Sequence, residues 1–435
     1  MNWKVVVGVS MLCITMMTGC EEKKTHSSES NETAKERVQV SKRDKEKEET
    51  VTEQGTPEDS SEEDTEEQKY KLQTMDISEK EQRRIEKRLT DVIEKCRGIY
   101  HGQTESVDTG QDGAENLAST ELSEEIVHQL VDTVAEDGTA VTCGEYDYNM
   151  QNYEQVKTAV TKAEKDENSK TTFYEINTSG NFIYNHLDFK KKKLYLTTAT
   201  AYLDENDGII LQQMEKIRVY DWKYTKKGWL IWEKAKSKNQ EMDMHVLYRV
   251  EPLSDMCRQM TNVYIIPVSY FCNNLFLTDW DEDSMDQLEF NDLYDFLYQM
   301  KYGKKLDEEA YKDGIPKSEF ETIVQTYFDI STEQLEQYAR YDAEKGVYPW
   351  EAIGPWNRVQ QFQPFPEVVD CKENEDGSWT LTVDAVFKEA GKDCSFRHEV
   401  KMKQKPDDRG IYCGNEINRD GTYRVPQYRA RREYK

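Results

Sequence analysis

The spacing of apolar residues changes along this chain and predicts two successive regions of helices followed by strands. Between residues 77 and 165 apolar residues recur three to four positions apart, which is typical of helices that bury one face. From residue 173 to 250 the period shortens to two, which predicts antiparallel strands separated by turns. The same order returns between residues 253 and 417. The predicted fold class is therefore α+β.

Three helices and six strands are predicted in the first region. The helices begin near Ile77, Ser123 and Asn152, with Ser123 as a cap and Gly138 as the stop of the second helix. The strands cover residues 173–176, 182–189, 194–203, 209–222, 229–234 and 245–250.

The second region is helical up to about residue 340 and then changes to strands. Ser331 and Gln334 have the spacing of a capping box at a helix start. The predicted strands cover residues 367–373, 379–388, 396–403 and 411–417. We therefore expect tandem units, each with helices against a curved antiparallel sheet, joined by a helical segment.

The N-terminus has the pattern of a bacterial lipoprotein signal. Lys4 precedes an apolar run over residues 5–17 that is short for a membrane span, and the small pair Thr18-Gly19 precedes Cys20. Cleavage before Cys20 and acylation of that cysteine would anchor the chain to the outer face of a membrane. The alternative is an ordinary secretory signal with an accidental thiol at Cys20.

A charged tract follows the signal and has almost no apolar residues, so it cannot offset its ordering entropy by burial. The predicted organisation has five parts. They are a lipoprotein signal peptide over residues 1–19, a disordered charged tether over 20–72, an N-terminal α+β roll over 76–252, a helical connecting segment over 253–314 and a C-terminal α+β roll over 315–425.

The formal net charge is −27, which repels phosphate backbones and argues against nucleic acid as a partner. No segment beyond the signal has the apolar length of a spanning helix. The expected partners are the membrane, through the N-terminal lipid, and a protein, peptide or envelope ligand.

Seven of the nine cysteines lie beyond Cys20, and their odd number and wide spacing do not define a disulfide framework. Cys371 could meet Cys394 across predicted strands, and Cys257 could close a short loop with Cys272. Buried free thiols are the alternative for each of them.

The chain carries no pattern that assigns a reaction. Asp279, Asp281 and Asp283 alternate like calcium ligands, but Phe290 stands where the bidentate glutamate of such a loop belongs, so an acidic helix start is the better interpretation. His186 and His398 lie in predicted strands without a metal-ligand spacing and are expected to be structural. We assign no catalytic residue, no metal and no cofactor.

Aromatic residues are the remaining candidates for binding, because flat rings on a rigid surface stack against ligands. Trp222 and Trp229 lie in one predicted hairpin, and Trp350 and Trp356 lie in a Pro-rich connection where exposure is expected. The alternative is that these rings fill the core and brace neighbouring strands.

Two stretches resemble a family of uncharacterised lipoproteins of gut Clostridia. They are Cys143-Gly144-Glu145-Tyr146-Asp147-Tyr148-Asn149-Met150 and Pro267-Val268-Ser269-Tyr270-Phe271-Cys272-Asn273-Asn274. The order of helices before a bent sheet also resembles NTF2-like (cystatin-like) rolls. This resemblance implies the fold and an address on the extracellular face of a Gram-positive cell membrane, but no activity.

The sequence therefore favours a membrane-anchored binding protein of the cell envelope that does not turn its ligand over. One alternative is an envelope hydrolase or transferase with an acid–base pair in a roll-shaped pocket. The other is the solute receptor of an importer, although such receptors usually alternate strands and helices.

Overall fold

The structure is a computed structural model that describes residues 68–100, 122–144, 148–204, 206, 208–236, 245–354, 363–405, 410–419, 425, 428 and 430–431. These residues belong to one compact unit. The predicted signal, Cys20, most of the predicted tether and Trp356 lie outside the described residues. No described helix is long and apolar enough to cross a bilayer.

A six-stranded sheet organises the first half of the body, residues 68–252. Its strands are β1 (Gln73–Thr74), β2 (Val141–Cys143), β3 (Ser169–Ile176), β4 (Phe182–Lys190), β5 (Lys193–Leu203) and β6 (Ile209–Arg218). The order is β1-β6-β5-β4-β3-β2, with β2 parallel to β3 and the other neighbours antiparallel. The predicted strands of this region are found at or close to their predicted bounds, except that the stretch predicted as one strand, 209–222, is divided between β6 and a further strand, Asp221–Tyr224, of another sheet.

Helices cover both faces of this sheet. They are α1 (Glu79–Tyr100), α2 (Glu124–Ala135) and α3 (Glu154–Glu164). Helices α1 and α2 pack on the face that presents Tyr174 and Tyr184, whereas α3 packs on the face of Phe173 and Leu187. Ser123 caps α2 through its hydroxyl, as its sequence position predicts.

A separate three-stranded sheet joins α3 on that second face. It consists of β7 (Asp221–Tyr224), β8 (Trp229–Glu233) and β9 (His245–Arg249) in antiparallel order. Leu230 and Trp232 of β8 pack toward the first-half core. Trp229 and Ile231 point the other way and pack against Val386 of the second half. Strand β8 is therefore buried on both faces, which explains its continuous apolar run.

The described residues of the second half, residues 253–431, form four α-helices and a five-stranded antiparallel sheet. The helices are α4 (Asp255–Met260), α5 (Phe290–Tyr302), α6 (Lys317–Tyr327) and α7 (Thr332–Tyr338), and a π-helical turn, Thr261–Ile265, follows α4. The sheet has the order β10 (Trp280–Asp281), β16 (Gly410–Asn418), β15 (Arg397–Gln404), β14 (Trp379–Val386) and β13 (Phe365–Glu373). A short ladder joins β11 (Ile315–Pro316) to β12 (Val347–Tyr348).

The segment predicted to connect the halves is integrated into the second-half core. Leu275, Phe276 and Leu297 pack in the same apolar cluster as Val383 and Tyr412 of the sheet. At the start of α7, Ser331 and Gln334 form the predicted capping box.

The last described residue, Arg431, ties the C-terminal chain to helix α5. Its buried guanidinium contacts Asp292 at 3.2 Å and Asp295 at 2.8 Å, and it also donates to the carbonyl of Glu351. The hydroxyl of Tyr428 donates to the carboxylate of Asp292. The buried negative charge of Asp292 is therefore compensated by the guanidinium of Arg431, which lies 139 positions later in the chain.

Charged side chains are buried where the three-stranded sheet meets the second half. Glu367 lies 3.4 Å from Arg249 and 3.5 Å from Arg258. On β14, Asp384 accepts hydrogen bonds from Arg397 at 2.7 Å and Lys227 at 2.6 Å. These contacts join the halves through paired charges in addition to the apolar contact of Trp229.

The architecture is thus a mixed α+β body with open sheets, as the sequence predicts at that level. Register shifts interrupt the ladders at Thr200/Ala201, Val368/Asp370 and Lys401/Met402. Such bulges bend and twist the strands that carry them.

Candidate functional site

A cavity of about 140 Å³ lies beside the end of the six-stranded sheet. It is lined by Gly144 after β2, by Glu175 on β3 and by Tyr248 on β9, with Tyr148 and Lys388 at other parts of its wall. We call it the Glu175 cavity. Its size is comparable to engineered cavities of about 150 Å³ that admit a benzene ring, so it would hold the end of a ligand.

The strand period aims Glu175 into this cavity. Glu175 lies two positions after Phe173, so both side chains leave β3 on the same face. The side chain of Tyr248 lies on the same face. Its ring contacts the ring of Phe173 edge-on, with centroids 4.8 Å apart. The hydroxyl of Tyr248 donates a hydrogen bond to Oε2 of Glu175. Packing on Phe173 therefore places the phenol against the carboxylate.

Gly144 leaves room next to the other oxygen of Glu175. A Cβ atom built on Gly144 would lie 3.1 Å from Glu175 Oε1 and 3.3 Å from Cβ of Asn177. Both distances are shorter than ordinary van der Waals contact, so a side chain at this position would crowd the carboxylate. The glycine backbone is held in place by its N–H, which donates to the carbonyl of Ile176 at 3.2 Å.

Tyr148 forms another part of the wall and is fixed on two sides. Its ring stacks on His128 with centroids 4.2 Å apart, and its hydroxyl donates to Asp132 at 2.7 Å. Burial and the hydrogen bond to Asp132 raise the pKa of Tyr148 far above its ordinary value, so it stays a neutral phenol.

Burial raises the pKa of Glu175 above its ordinary value of 4.5, against the opposing effects of the Tyr248 hydrogen bond and the charge of Lys388. Arg249 also lines the cavity, but its guanidinium faces Glu367 and the ring of Trp229. Among the described residues, the cavity thus presents the carboxyl group of Glu175, which accepts a hydrogen bond from the phenol of Tyr248 and lies near the amine of Lys388.

This arrangement suits recognition of a hydrogen-bond donor. The described histidines that the sequence singled out lie elsewhere. His186 is bonded to Thr172 at 2.8 Å, and His398 is bonded to Tyr270 and Asn415 in the second-half core. Neither is paired with Glu175, so the structure does not bring the considered acid–base pair together at the cavity.

The tryptophans predicted to bind ligand occupy different surroundings. The expected exposure of Trp350 is wrong, because the ring is only 3% exposed and packs in the second-half core. Trp229 is fully buried between the halves. Trp222 is half-buried against Phe189 and donates to the carbonyl of Lys192 at 2.7 Å. Trp356 lies outside the described part of the chain.

The carboxylates of Asp279, Asp281 and Asp283 lie in or next to a turn and do not surround a common cation position. Asp281 accepts from the hydroxyl of Ser284 and from the backbone of Asp283, while Asp279 pairs with Arg419. In the described ranges no group of three or more His, Cys, Asp or Glu side chains is arranged to hold a metal ion.

Sequence reasoning missed Glu175, Tyr248 and Lys388 as a group. One signal was available, because Glu175 is an acidic residue at an inward position of a strand rich in aromatic residues. The contacts with Tyr248 and Lys388 join distant parts of the chain, and no local spacing reports them.

Comparisons with known proteins place the chain without assigning an activity. No curated protein and no solved structure matches it. A family model matches residues 82–431, a range that contains the Glu175 cavity, the buried charges between the halves and Arg431. The chain therefore belongs to a family of unknown function, DUF6070.

Proposed function

We propose that this protein is a lipid-anchored binding protein of the cell envelope and that the Glu175 cavity takes the hydrogen-bond-donating end of its ligand. The observation that carries the proposal is the partly buried carboxyl group of Glu175, which lines a ligand-sized space. Its Oε2 already accepts from Tyr248, and Oε1 lies beside the side-chain-free Gly144. A ligand with an ammonium, amide or hydroxyl group would donate a hydrogen bond to Oε1.

Binding is favoured over turnover because of what surrounds the carboxyl group. Glu175 has a phenol as its hydrogen-bond donor, and His186 and His398 are engaged elsewhere. A hydrolase would need a second group positioned to exchange protons with the reacting atoms. The ligand is therefore expected to leave the site unchanged.

Three small probes of equal chain length test the site, namely n-butylammonium, butyramide and butyrate. We expect the first two to shift the NMR signals of residues around the cavity at millimolar concentrations, because so few atoms give weak binding. Butyrate has no hydrogen-bond donor to offer Glu175 when it is ionised, so it should give the smallest shifts of the three. Equal binding of all three probes would contradict the proposal.

Two variants sharpen this test. Glu175→Gln should weaken n-butylammonium binding by about tenfold, because an ammonium ion forms a charge-assisted hydrogen bond with the ionised form of Glu175, which Gln cannot supply. Gly144→Ala should weaken the binding of both n-butylammonium and butyramide by crowding the side chain of Glu175. Glu282→Gln is the matched control, since Glu282 pairs with Lys403 at the surface of the second half. Unchanged binding in Glu175→Gln would remove the carboxyl group from the site.

Lipid anchoring rests on the sequence pattern that ends at Cys20. We expect Cys20→Ala to leave the membrane fraction and to lack an acyl group by mass spectrometry. Cys13→Ala is the control, because Cys13 lies inside the predicted signal peptide. Membrane retention of Cys20→Ala would count against the anchor and would leave the cavity proposal standing.

The NTF2-like assignment belongs to the same proposal. Helices α1 and α2 pack across one face of a sheet, and bulges bend both larger sheets. These features support a roll in each half.

A further inference from the structure

Two cysteines from distant parts of the chain meet in the second half. Cys257 lies on α4 and Cys371 lies on β13, 114 positions later, and their Sγ atoms are 3.6 Å apart. Neither pairing considered from the sequence is formed by them. The Sγ of Cys394 instead contacts Asp384 and the carbonyl of Phe396, at 3.4 Å each.

Contacts that do not involve the thiols hold the two sulfur atoms close together. Thr261, one turn after Cys257, accepts a hydrogen bond from the backbone N–H of Val368 on β13 at 2.9 Å. Arg258 lies 3.5 Å from Glu367 on the same strand. Two contacts that do not involve the thiols therefore join this helical segment to β13 just after Cys257, so the short sulfur–sulfur distance is a product of the fold.

The surroundings of the pair also suit thiol chemistry. The thiol of Cys371 donates to the sulfur of Cys257, and this hydrogen bond lowers the pKa of Cys257, with a further contribution from Ser254. The same hydrogen bond raises the pKa of Cys371, so Cys257 is the better nucleophile of the two. Cys371 is half-buried, so a small molecule can approach the pair. Burial raises the pKa of Cys96 to about 12 and that of Cys413 to about 11, which makes those two thiols poor nucleophiles.

We propose that Cys257 and Cys371 are an oxidation site that closes to a disulfide when the chain meets a low-molecular-weight disulfide. One protein thiolate attacks the small disulfide and releases one small thiol. The second protein sulfur then displaces the other small thiol, and the two protons end on the two products. One sulfur–sulfur bond breaks, the Cys257–Cys371 bond forms, and two electrons pass from the protein to the oxidant.

The disulfide fastens α4 to β13 within the second half. Its closure joins positions 114 residues apart, and a cross-link over a long loop removes much freedom from the unfolded chain. The oxidised protein should therefore melt at a higher temperature than the reduced protein, by several degrees.

Oxidised glutathione is the probe that tests this site. The full chain carrying Cys13→Ser and Cys20→Ser is reduced, freed of reductant and incubated with the probe, and peptides are mapped by mass spectrometry without reduction. We expect a peptide pair that links Cys257 to Cys371 and a loss of two from the seven remaining thiols. The melting temperature should rise and return to its former value on reduction.

Single replacements separate this outcome from nonspecific oxidation. Cys257→Ser and Cys371→Ser should each abolish the linked peptide and the rise in melting temperature, and the half-buried position of Cys371 makes its replacement the milder one. Cys394→Ser is the matched control and should keep both effects. The proposal is overturned if both thiols remain alkylatable after incubation, if they carry only glutathione, or if a Cys371–Cys394 or Cys257–Cys272 bridge forms instead.

Discussion

Tyr248 donates its hydroxyl hydrogen to Glu175 across 73 positions of sequence, and this contact joins the three-stranded sheet to the end of β3. The phenol reaches the carboxylate because its ring rests against Phe173, two positions before Glu175. Glu175 is therefore both the candidate binding group and one partner in a hydrogen bond that holds the structure together. Changes at either residue should affect both stability and binding.

Replacing Glu175 with Gln should stabilise the protein increasingly as pH rises. Burial raises the pKa of Glu175 in the folded state, so the folded state prefers the protonated form. The stability that this preference contributes is present below the unfolded pKa and is lost as pH rises through the folded pKa. Thermal melts at pH 4.5 and pH 8 would measure the difference between variant and wild type. A difference that stays constant with pH would contradict the raised pKa.

The reverse dependence is expected for His398. Burial lowers its pKa to about 4, so the folded state keeps the ring neutral. Stability is then present above the unfolded pKa and is lost as pH falls toward 4, by up to about 3 kcal/mol. Urea unfolding of wild type and His398→Gln between pH 7 and 5 measures this loss. The carboxylates titrate in both proteins and therefore cancel in the comparison. The difference in the free energy of unfolding between wild type and His398→Gln should then narrow as pH falls, because only the wild type loses the contribution of His398. Parallel pH profiles would refute the prediction.

Arg431→Met should destabilise the body strongly. The replacement leaves the buried carboxylate of Asp292 without its cation, and breaking a buried pair in this way typically costs about 3–5 kcal/mol. Arg419→Met is the matched control, because Arg419 pairs with Asp279 at the surface, where such pairs contribute about 0–1 kcal/mol. Urea unfolding of both variants compares the two losses. Equal losses would mean that Asp292 is compensated by other groups.

Asp384→Asn should weaken the joint between the halves. Burial opposes the charge of Asp384, but the hydrogen bonds from Arg397 and Lys227 outweigh it and hold its pKa below the usual range. The variant should lose about 2 kcal/mol, since hydrogen bonds to charged groups are stronger than neutral ones. Asp91→Asn, which breaks an exposed pair with Lys87, should lose far less in the same unfolding measurement. A loss as small as that of Asp91→Asn would show that the cluster contributes little.

The strands and most helices could be predicted because their signals are local. Strand β8 is instructive, since its run of four apolar residues predicts a strand but does not say that Trp229 and Trp232 serve different cores. Trp350 was expected at the surface because prolines and a long connection surround it. The segment instead follows β12 and packs on the second-half core, which buries the ring.

The site and the charged clusters could not be predicted, because each joins residues far apart in sequence. Glu175 and Tyr248 are 73 positions apart, and Cys257 and Cys371 are 114 apart. Periodicity reports which face of an element is buried, but not which element covers it. The cysteine pairing therefore stayed open, although the number and spacing of the cysteines were known.

The ion pair of Asp292 and Arg431 has a consequence for biosynthesis. A ribosome completes helix α5 well before it adds Arg431, which follows Asp292 by 139 residues. Until then the nascent chain carries a carboxylate that cannot enter the interior without its cation. The second half should therefore reach its final packing only after synthesis has passed Arg431.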